Sequence, residues 1–305
     1  MGVSMNLREH LDSLRSLPQG ERPALVVQGG GLRAVYSMGA LVALSEEGLM
    51  DCFSVCVGSS AGAINLAYSL SGQSRDGLAI YTEDLTDSRF FAPWRLWRLV
   101  DIDFLVDVAM KCLHPLNLQA LVNNAIPLLI SLTNAEDGSG RFLSTHESPD
   151  QIVEGLRATA ALPTLYNRKV RVGDAFYVDG GIHQQVPVQE ARDWGASEML
   201  IIATRERGYR RNGHGRAYRL LGELSAVGQS KAIRRTIGAP DADYNRSMAM
   251  LETGGVFDGV KGWLVQPSRS SDLVGRTQND RASLIRCAEL GISDMRSRLE
   301  KDVNA

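Results

Sequence analysis

Gly58-Ser-Ser-Ala-Gly62 places one hydroxyl, Ser60, midway between two glycines, after an apolar run and before a helical pattern. A strand that turns this sharply into a helix forces strained backbone angles on Ser60. Gly58 and Gly62 let the two elements approach without Cβ clashes. The hydroxyl then stands at a helix N-terminus, where unpaired N–H groups favour developing negative charge. That setting suits nucleophilic attack on an acyl carbon. The bland alternative is a Ser/Gly turn that merely joins two packed elements. Ser59 is a rival hydroxyl, but it lacks the glycine spacing.

An acyl-transfer serine needs N–H donors for the oxyanion, preset in a loop with no side chains in the way. Gly29, Gly30 and Gly31 meet that need, with Arg33 close by. Gly29-x-Gly31-x-x-Ala34 also fits a relaxed dinucleotide fingerprint, yet no acidic residue ends the next strand to hold a ribose. The serine needs a base as well. None of the five histidines (His10, His114, His146, His183, His214) stands in the context of a late triad histidine. Asp179 is better placed, at the end of a strand and followed by Gly180 and Gly181, although Asp-Gly-Gly taken alone is more often an ordinary turn.

These groups depend on the elements that carry them. Residues 24–28 and 53–57 read as short strands buried on both faces, and each runs through a glycine-rich turn into an apolar helix. Strand, turn, helix, repeated twice, implies a parallel unit with right-handed crossover, whose ligands bind at the carboxyl ends of the strands. Residues 151–161 and 188–195 read as helices, 169–172 and 175–178 as a hairpin around Gly173-Asp174, and 199–204 as a third buried strand. Residues 260–265 predict a further strand and 281–299 a terminal helix. The stretch 82–134 shows no clear period. No linker divides the chain, so residues 1–22 are read as an N-terminal helical extension and 23–305 as one domain.

The three segments Gln28-Gly-Gly-Gly-Leu-Arg33, Gly58-Ser-Ser-Ala-Gly62 and Tyr177-Val-Asp-Gly-Gly181 resemble, in order and spacing, the signature blocks of patatin-like phospholipases. Tyr36-Ser-Met-Gly-Ala-Leu41, Ala158-Thr-Ala-Ala-Leu-Pro163 and Val186-Pro-Val188 add secondary similarities. The resemblance covers residues 24–204 well and 205–305 loosely, and within the family it is nearest to the bacterial cytosolic proteins. It implies a three-layer α/β/α fold with a mainly parallel central sheet. It also implies a Ser–Asp dyad without histidine: Ser60 as nucleophile, Asp179 as base, and Gly29, Gly30 and Gly31 as the oxyanion loop, positioned or screened by Arg33. Gly58, Gly62, Gly180 and Gly181 support the elbow and the acidic turn. Ala34 and His183-Gln184-Gln185 depart from the family pattern.

The expected activity is lipid acyl hydrolysis through an acyl-enzyme. A soluble esterase acting on small non-lipid esters and a non-catalytic lipid-binding protein of the same fold are the alternatives. A binder has no need of loop, elbow and aspartate together. No cofactor is expected, and no metal, since no ligand cluster with metal spacing is visible.

Composition bounds the rest. Of 305 residues, 44% are apolar and 22% charged, which excludes general disorder. Lys and Arg number 33 against 35 Asp and Glu, so the formal net charge of −2 supplies no global field for nucleic acid. Four cysteines are too few for a disulfide scaffold and are expected to be reduced thiols. With neither a secretory signal nor an apolar run long enough to span a bilayer, the expected location is cytoplasmic. Phe90-Phe-Ala-Pro-Trp-Arg-Leu-Trp-Arg98 reads either as a membrane-surface segment or as an irregular stretch packed on the core. The basic run 205–216 reads as a solvated loop, with anionic head groups as its alternative partners. Oligomeric state does not follow from the sequence.

Overall fold

In this computed structural model the described residues are 5–95, 98–211, 228–237 and 242–303. Among them, nine strands form one mixed sheet: β1 (Ala24–Val27), β2 (Val55–Ser59), β3 (Leu128–Asn134), β4 (Gly140–Ser144), β5 (Val170–Val172), β6 (Ala175–Asp179), β7 (Glu198–Ile202), β8 (Val256–Phe257) and β9 (Val260–Val265). The helices are α1 (Leu7–Leu14), α2 (Val35–Glu46), α3 (Ala61–Leu70), α4 (Ser74–Ala79), α5 (Leu118–Asn123), α6 (Ile152–Ala160), α7 (Val188–Asp193), α8 (Lys231–Thr236), α9 (Ala242–Gly254) and α10 (Arg281–Leu299).

Strands β3, β2, β1, β7 and β9 run parallel in that spatial order, and the remaining pairings are antiparallel. Side chains alternate across each strand, so both faces must be covered. Leu25 and Val27 enter a core completed by α2, α3 and α10, whereas Ala24 and Val26 enter a second core completed by α7 and α9. These are the three layers that the sequence implied. Leu7 and Leu11 of α1 are wholly buried in the first core, which ties the N-terminal helix to the fold. All four cysteines are free thiols, as expected.

Several elements differ from expectation. The second strand was expected over 53–57 but runs Val55–Ser59, carrying β pairing right up to the turn. Helix α2 was expected to bury one stripe, yet Val35 through Leu44 are all buried. Its outer side lies against α10, where Gly39 faces the Ala288 carbonyl and Gly291 faces the Tyr36 carbonyl with no room for a Cβ. The unreadable stretch holds two π-helical segments, Ile80–Asp84 and Phe104–Leu113, followed by α5 and β3.

Strand β3 organises the site. Residues Leu129–Thr133 pair with β4, which therefore occupies one edge of β3. On the other edge β2 pairs alongside Leu128–Ser131, and β6 pairs alongside Leu132–Asn134 from the opposite direction. The two strands thus meet head to head, with Ser59 opposite Ser131 and Asp179 opposite Leu132. Residues 120 positions apart in sequence become neighbours through one shared β edge.

Candidate active site

One residue beyond β2, Ser60 takes φ 55° and ψ −135°. Positive φ is strained for a residue with a Cβ, at roughly 1–3 kcal/mol, and must be held by its surroundings. Gly62 supplies part of that hold, because a Cβ there would come within 2.5 Å of the Val27 carbonyl oxygen. A Cβ on Gly58 would likewise come within 2.6 Å of Ala63. The sharp turn therefore exists only because both positions lack a side chain. Thr159 supplies the rest: its Oγ1 accepts the Ser60 N–H at 2.9 Å and donates to the Ser131 carbonyl at 2.6 Å.

The Ser60 hydroxyl donates to Asp179 Oδ2 at 2.8 Å, and the Gly181 N–H donates to Asp179 Oδ1 at 2.7 Å. Asp179 is 4% exposed. Burial pushes its carboxyl up to about 6, against the opposing pull of the Ser60 hydroxyl, the Gly181 amide and the positive charge of Arg276. At neutral pH the group is largely ionised and basic enough to take a proton from an attacking hydroxyl. Gly180 sits on the Ser131 carbonyl with no space for a Cβ, which seats the acidic turn directly on β3.

The glycine loop lies against this pair. A Cβ on Gly29 would come within 2.5 Å of both the Ser59 carbonyl oxygen and Ser60 Cβ. Thr204, just past β7, donates through Oγ1 to the Gly29 carbonyl at 2.8 Å and through its amide to Gln28 Oε1 at 2.8 Å. The Gly29, Gly30 and Gly31 amides have no acceptor among the described residues. They face the same cavity as Ser60, so they are free to bind an oxyanion. Arg33 follows, 3% exposed, with its guanidinium turned to that cavity.

This cavity has a volume of about 670 Å³, within the usual range for small-molecule sites. Its inner part is apolar, walled by Ile80, Leu85, Phe90, Val100, Ile102 and Leu105, much of it contributed by the π-helical segments and their flanks. No described histidine lines it. His10 pairs with Glu198, His146 bonds to the Asn124 carbonyl, His114 lies near Asp84, and His183 is exposed. His214 lies outside the described residues. Ser59 Oγ is buried without a partner, and Ser60 is the serine that meets the acid.

The surface segments resolve in part. Phe90 is buried on the cavity wall, whereas Trp94 is 71% exposed. Arg95 and Arg98 both pair with Asp101. Trp97 lies outside the described residues, as do 212–216 of the basic run. The run's first part is no simple solvated loop, because Arg205 and Arg211 line the cavity. Among the described residues no helix is long and apolar enough to cross a membrane, and no group of three His, Cys, Asp or Glu could hold a metal ion.

Sequence reasoning gave Thr159 no role, although it lies within the quoted block Ala158-Thr-Ala-Ala-Leu-Pro163. Thr159→Val would orphan both the Ser60 amide and the Ser131 carbonyl, costing about 1–3 kcal/mol for each buried group. We expect a lower melting temperature together with a lower kcat for ester cleavage, both restored by Thr159→Ser. A valine variant with unchanged kcat would show that this bond does not position the elbow.

The patatin-like phospholipase family profile matches residues 25–192, more than half of the chain. An uncharacterised Escherichia coli protein, YjjU, is 30% identical over 199 residues, covering 63% of this chain and 54% of its own length. A human protein named 1-acylglycerol-3-phosphate O-acyltransferase PNPLA3 is 29% identical over 184 residues, covering 55% of this chain and 36% of its own. The chain thus spans about half or less of these two relatives. Among solved structures, VipD from Legionella pneumophila superimposes with a TM-score of 0.51 at 15% identity, covering 91% of this chain and 67% of VipD, a likeness of fold. The motif order, the layered sheet and the family match agree: the chain belongs to the patatin-like phospholipase family.

Proposed function

We propose that this protein hydrolyses lipid acyl esters through a Ser60–Asp179 dyad. The observation that carries the reading is the 2.8 Å bond from the Ser60 hydroxyl to the buried Asp179 carboxylate, set at a cavity with an apolar interior. Ser60 Oγ attacks the ester carbonyl carbon while its proton passes to Asp179 Oδ2. The carbonyl electrons move onto oxygen, beside the amides of Gly29, Gly30 and Gly31. Collapse of this adduct expels the alcohol, which takes the proton from Asp179, and leaves the acyl group on Ser60. Water then attacks the acyl-enzyme and gives a proton to Asp179. The second collapse releases the fatty acid and returns the proton to Ser60.

The apolar wall from Ile80 to Leu105 favours a long acyl chain over a small non-lipid ester, since burying each methylene contributes about 0.8 kcal/mol. A protein that only binds lipid has no use for a strained serine in contact with a carboxylate whose pKa is raised. Trp94 supports contact with a lipid surface, because an exposed indole suits the head-group boundary.

The test is a series of p-nitrophenyl esters of rising acyl length, followed by phospholipid vesicles. We expect kcat/KM to climb with chain length and to rise with pH along a limb of midpoint about 6, set by Asp179. A preference for acetyl esters would favour the small-ester reading. No turnover of any ester, with lipid still bound, would favour the binding protein.

A further inference from the structure

We propose that Arg33, Arg205 and Arg276 form a subsite for a phosphate group on the acyl ester, so that the preferred substrates carry an anionic phosphate head. The proposal rests on the hydrolase reading for its substrate and adds the class of head group. The three arginines come from separate parts of the chain. Arg33 follows the glycine loop after β1, Arg205 follows β7, and Arg276 lies in the loop between β9 and α10. Strands β1, β7 and β9 are adjacent and parallel, so their carboxyl ends deliver all three to one crevice. The Arg276 carbonyl accepts the Leu32 N–H at 3.0 Å, which fixes its loop beside the glycine loop.

All three residues line the cavity that holds Ser60. None of their guanidinium groups bonds or ion-pairs with a described acid, and Arg205 instead stacks on the Tyr209 ring at 4.2 Å. Arg33 is 3% exposed, and its Nε has no partner. Burial, with Arg205 and Arg276 nearby, lowers Arg33 to about 9, so the cluster repels itself when the site is empty. Elsewhere the chain pairs its enclosed arginines. Arg157, for example, is held by Asp103, Asp107 and Glu154.

A buried, unpaired guanidinium is costly, and three facing one cavity are repaid only by an anion that enters it. Asp179 is the one carboxylate on the described cavity wall, and it is occupied by Ser60. Nothing on that wall suits a quaternary ammonium. Guanidinium forks match phosphate oxygens well, and a phosphomonoester brings the most charge. The positive mouth and the apolar interior thus fit the two ends of one molecule, a phosphate-headed acyl ester.

The experiment measures kcat/KM on three esters of the same acyl chain: lysophosphatidate, lysophosphatidylcholine and monoacylglycerol. We expect wild type to prefer lysophosphatidate, and inorganic phosphate to compete against monoacylglycerol cleavage. In Arg205→Gln and Arg276→Gln the ratio of lysophosphatidate to monoacylglycerol kcat/KM should fall at least about tenfold, with partial recovery in Arg205→Lys. Ratios within twofold of wild type in both variants, or a wild-type preference for the choline or neutral ester, would overturn the subsite. Competition by free phosphate with no lysophosphatidate preference would also overturn it as a head-group site. If no ester is cleaved, the hydrolase reading fails by itself. Calorimetric binding of lysophosphatidate to Ser60→Ala protein, with and without Arg276→Gln, then decides: weakened binding supports the subsite and equal binding overturns it.

Discussion

Ser60→Ala is expected to lower kcat/KM on long-chain acyl esters by about 10⁴- to 10⁶-fold, the scale seen when a serine hydrolase loses its nucleophile. Substrate binding should survive, since the apolar wall and the glycine loop are untouched. The strained backbone should survive too, because alanine keeps the Cβ that makes φ 55° costly. A parallel His183→Ala variant should retain most activity, because that ring is exposed and lies outside the cavity of Ser60. Equal loss in the two variants would point to a histidine-dependent triad and against the dyad. Stopped-flow release of p-nitrophenol separates acylation from slower steps and makes the comparison direct.

Asp179→Asn should be nearly as inactive, by about 10⁴-fold, and at the same time more stable. The sign follows from burial. The native carboxyl titrates at about 6, above the ordinary 3.8, so between those values the folded state holds a proton that the unfolded state has lost. Stability therefore falls as pH rises through that window, by about 3 kcal/mol in all, and levels off above it. Asparagine carries no such charge. It still presents an oxygen to the Gly181 N–H, while its amide can donate to Ser60 Oγ. At pH 7.5 the variant should melt roughly 5 °C higher than wild type, and the two should converge towards pH 4. Melting curves across pH 4–8 test this, and a variant less stable than wild type at every pH would refute the buried charge. A carboxylate retained at such a cost is best explained by its chemistry.

The parts of the molecule that could be read from sequence are those with local causes. The β1–glycine–α2 and β2–elbow–α3 units announce themselves by apolar runs cut by glycine, and the β5–β6 hairpin by Gly173-Asp174 between short alternating runs. Strand β9 and helix α10 appear with the expected bounds. Strand β3 was hidden because Leu128–Asn134 is buried on both faces and shows no alternation. It also follows Asn123, Asn124 and Pro127, which read as breakers. The wall from Ile80 to Leu113 was hidden because π-helical turns abandon the 3.6-residue period that marks a helix.

The site divides in the same way. Ser60, Asp179 and the three glycines were legible as residue types, yet their meeting depends on β2 and β6 sharing one edge of β3, which is a long-range fact. Thr159 was visible in a motif block without a role, since its partners, Ser60 and Ser131, lie 99 and 28 positions away. The convergence of Arg33, Arg205 and Arg276 depends on the order of β1, β7 and β9 in the sheet, and no local pattern encodes that order.

The most direct test of the dyad is covalent. Wild-type protein treated with an alkyl fluorophosphonate at pH 7.5 should gain one adduct, and peptide mapping should place it on Ser60. Ser60→Ala should gain none, and Asp179→Asn should label at least about a hundredfold more slowly, because the hydroxyl has lost its base. An adduct on Ser59 or elsewhere in the wild type, or labelling at the wild-type rate in Asp179→Asn, would contradict the account.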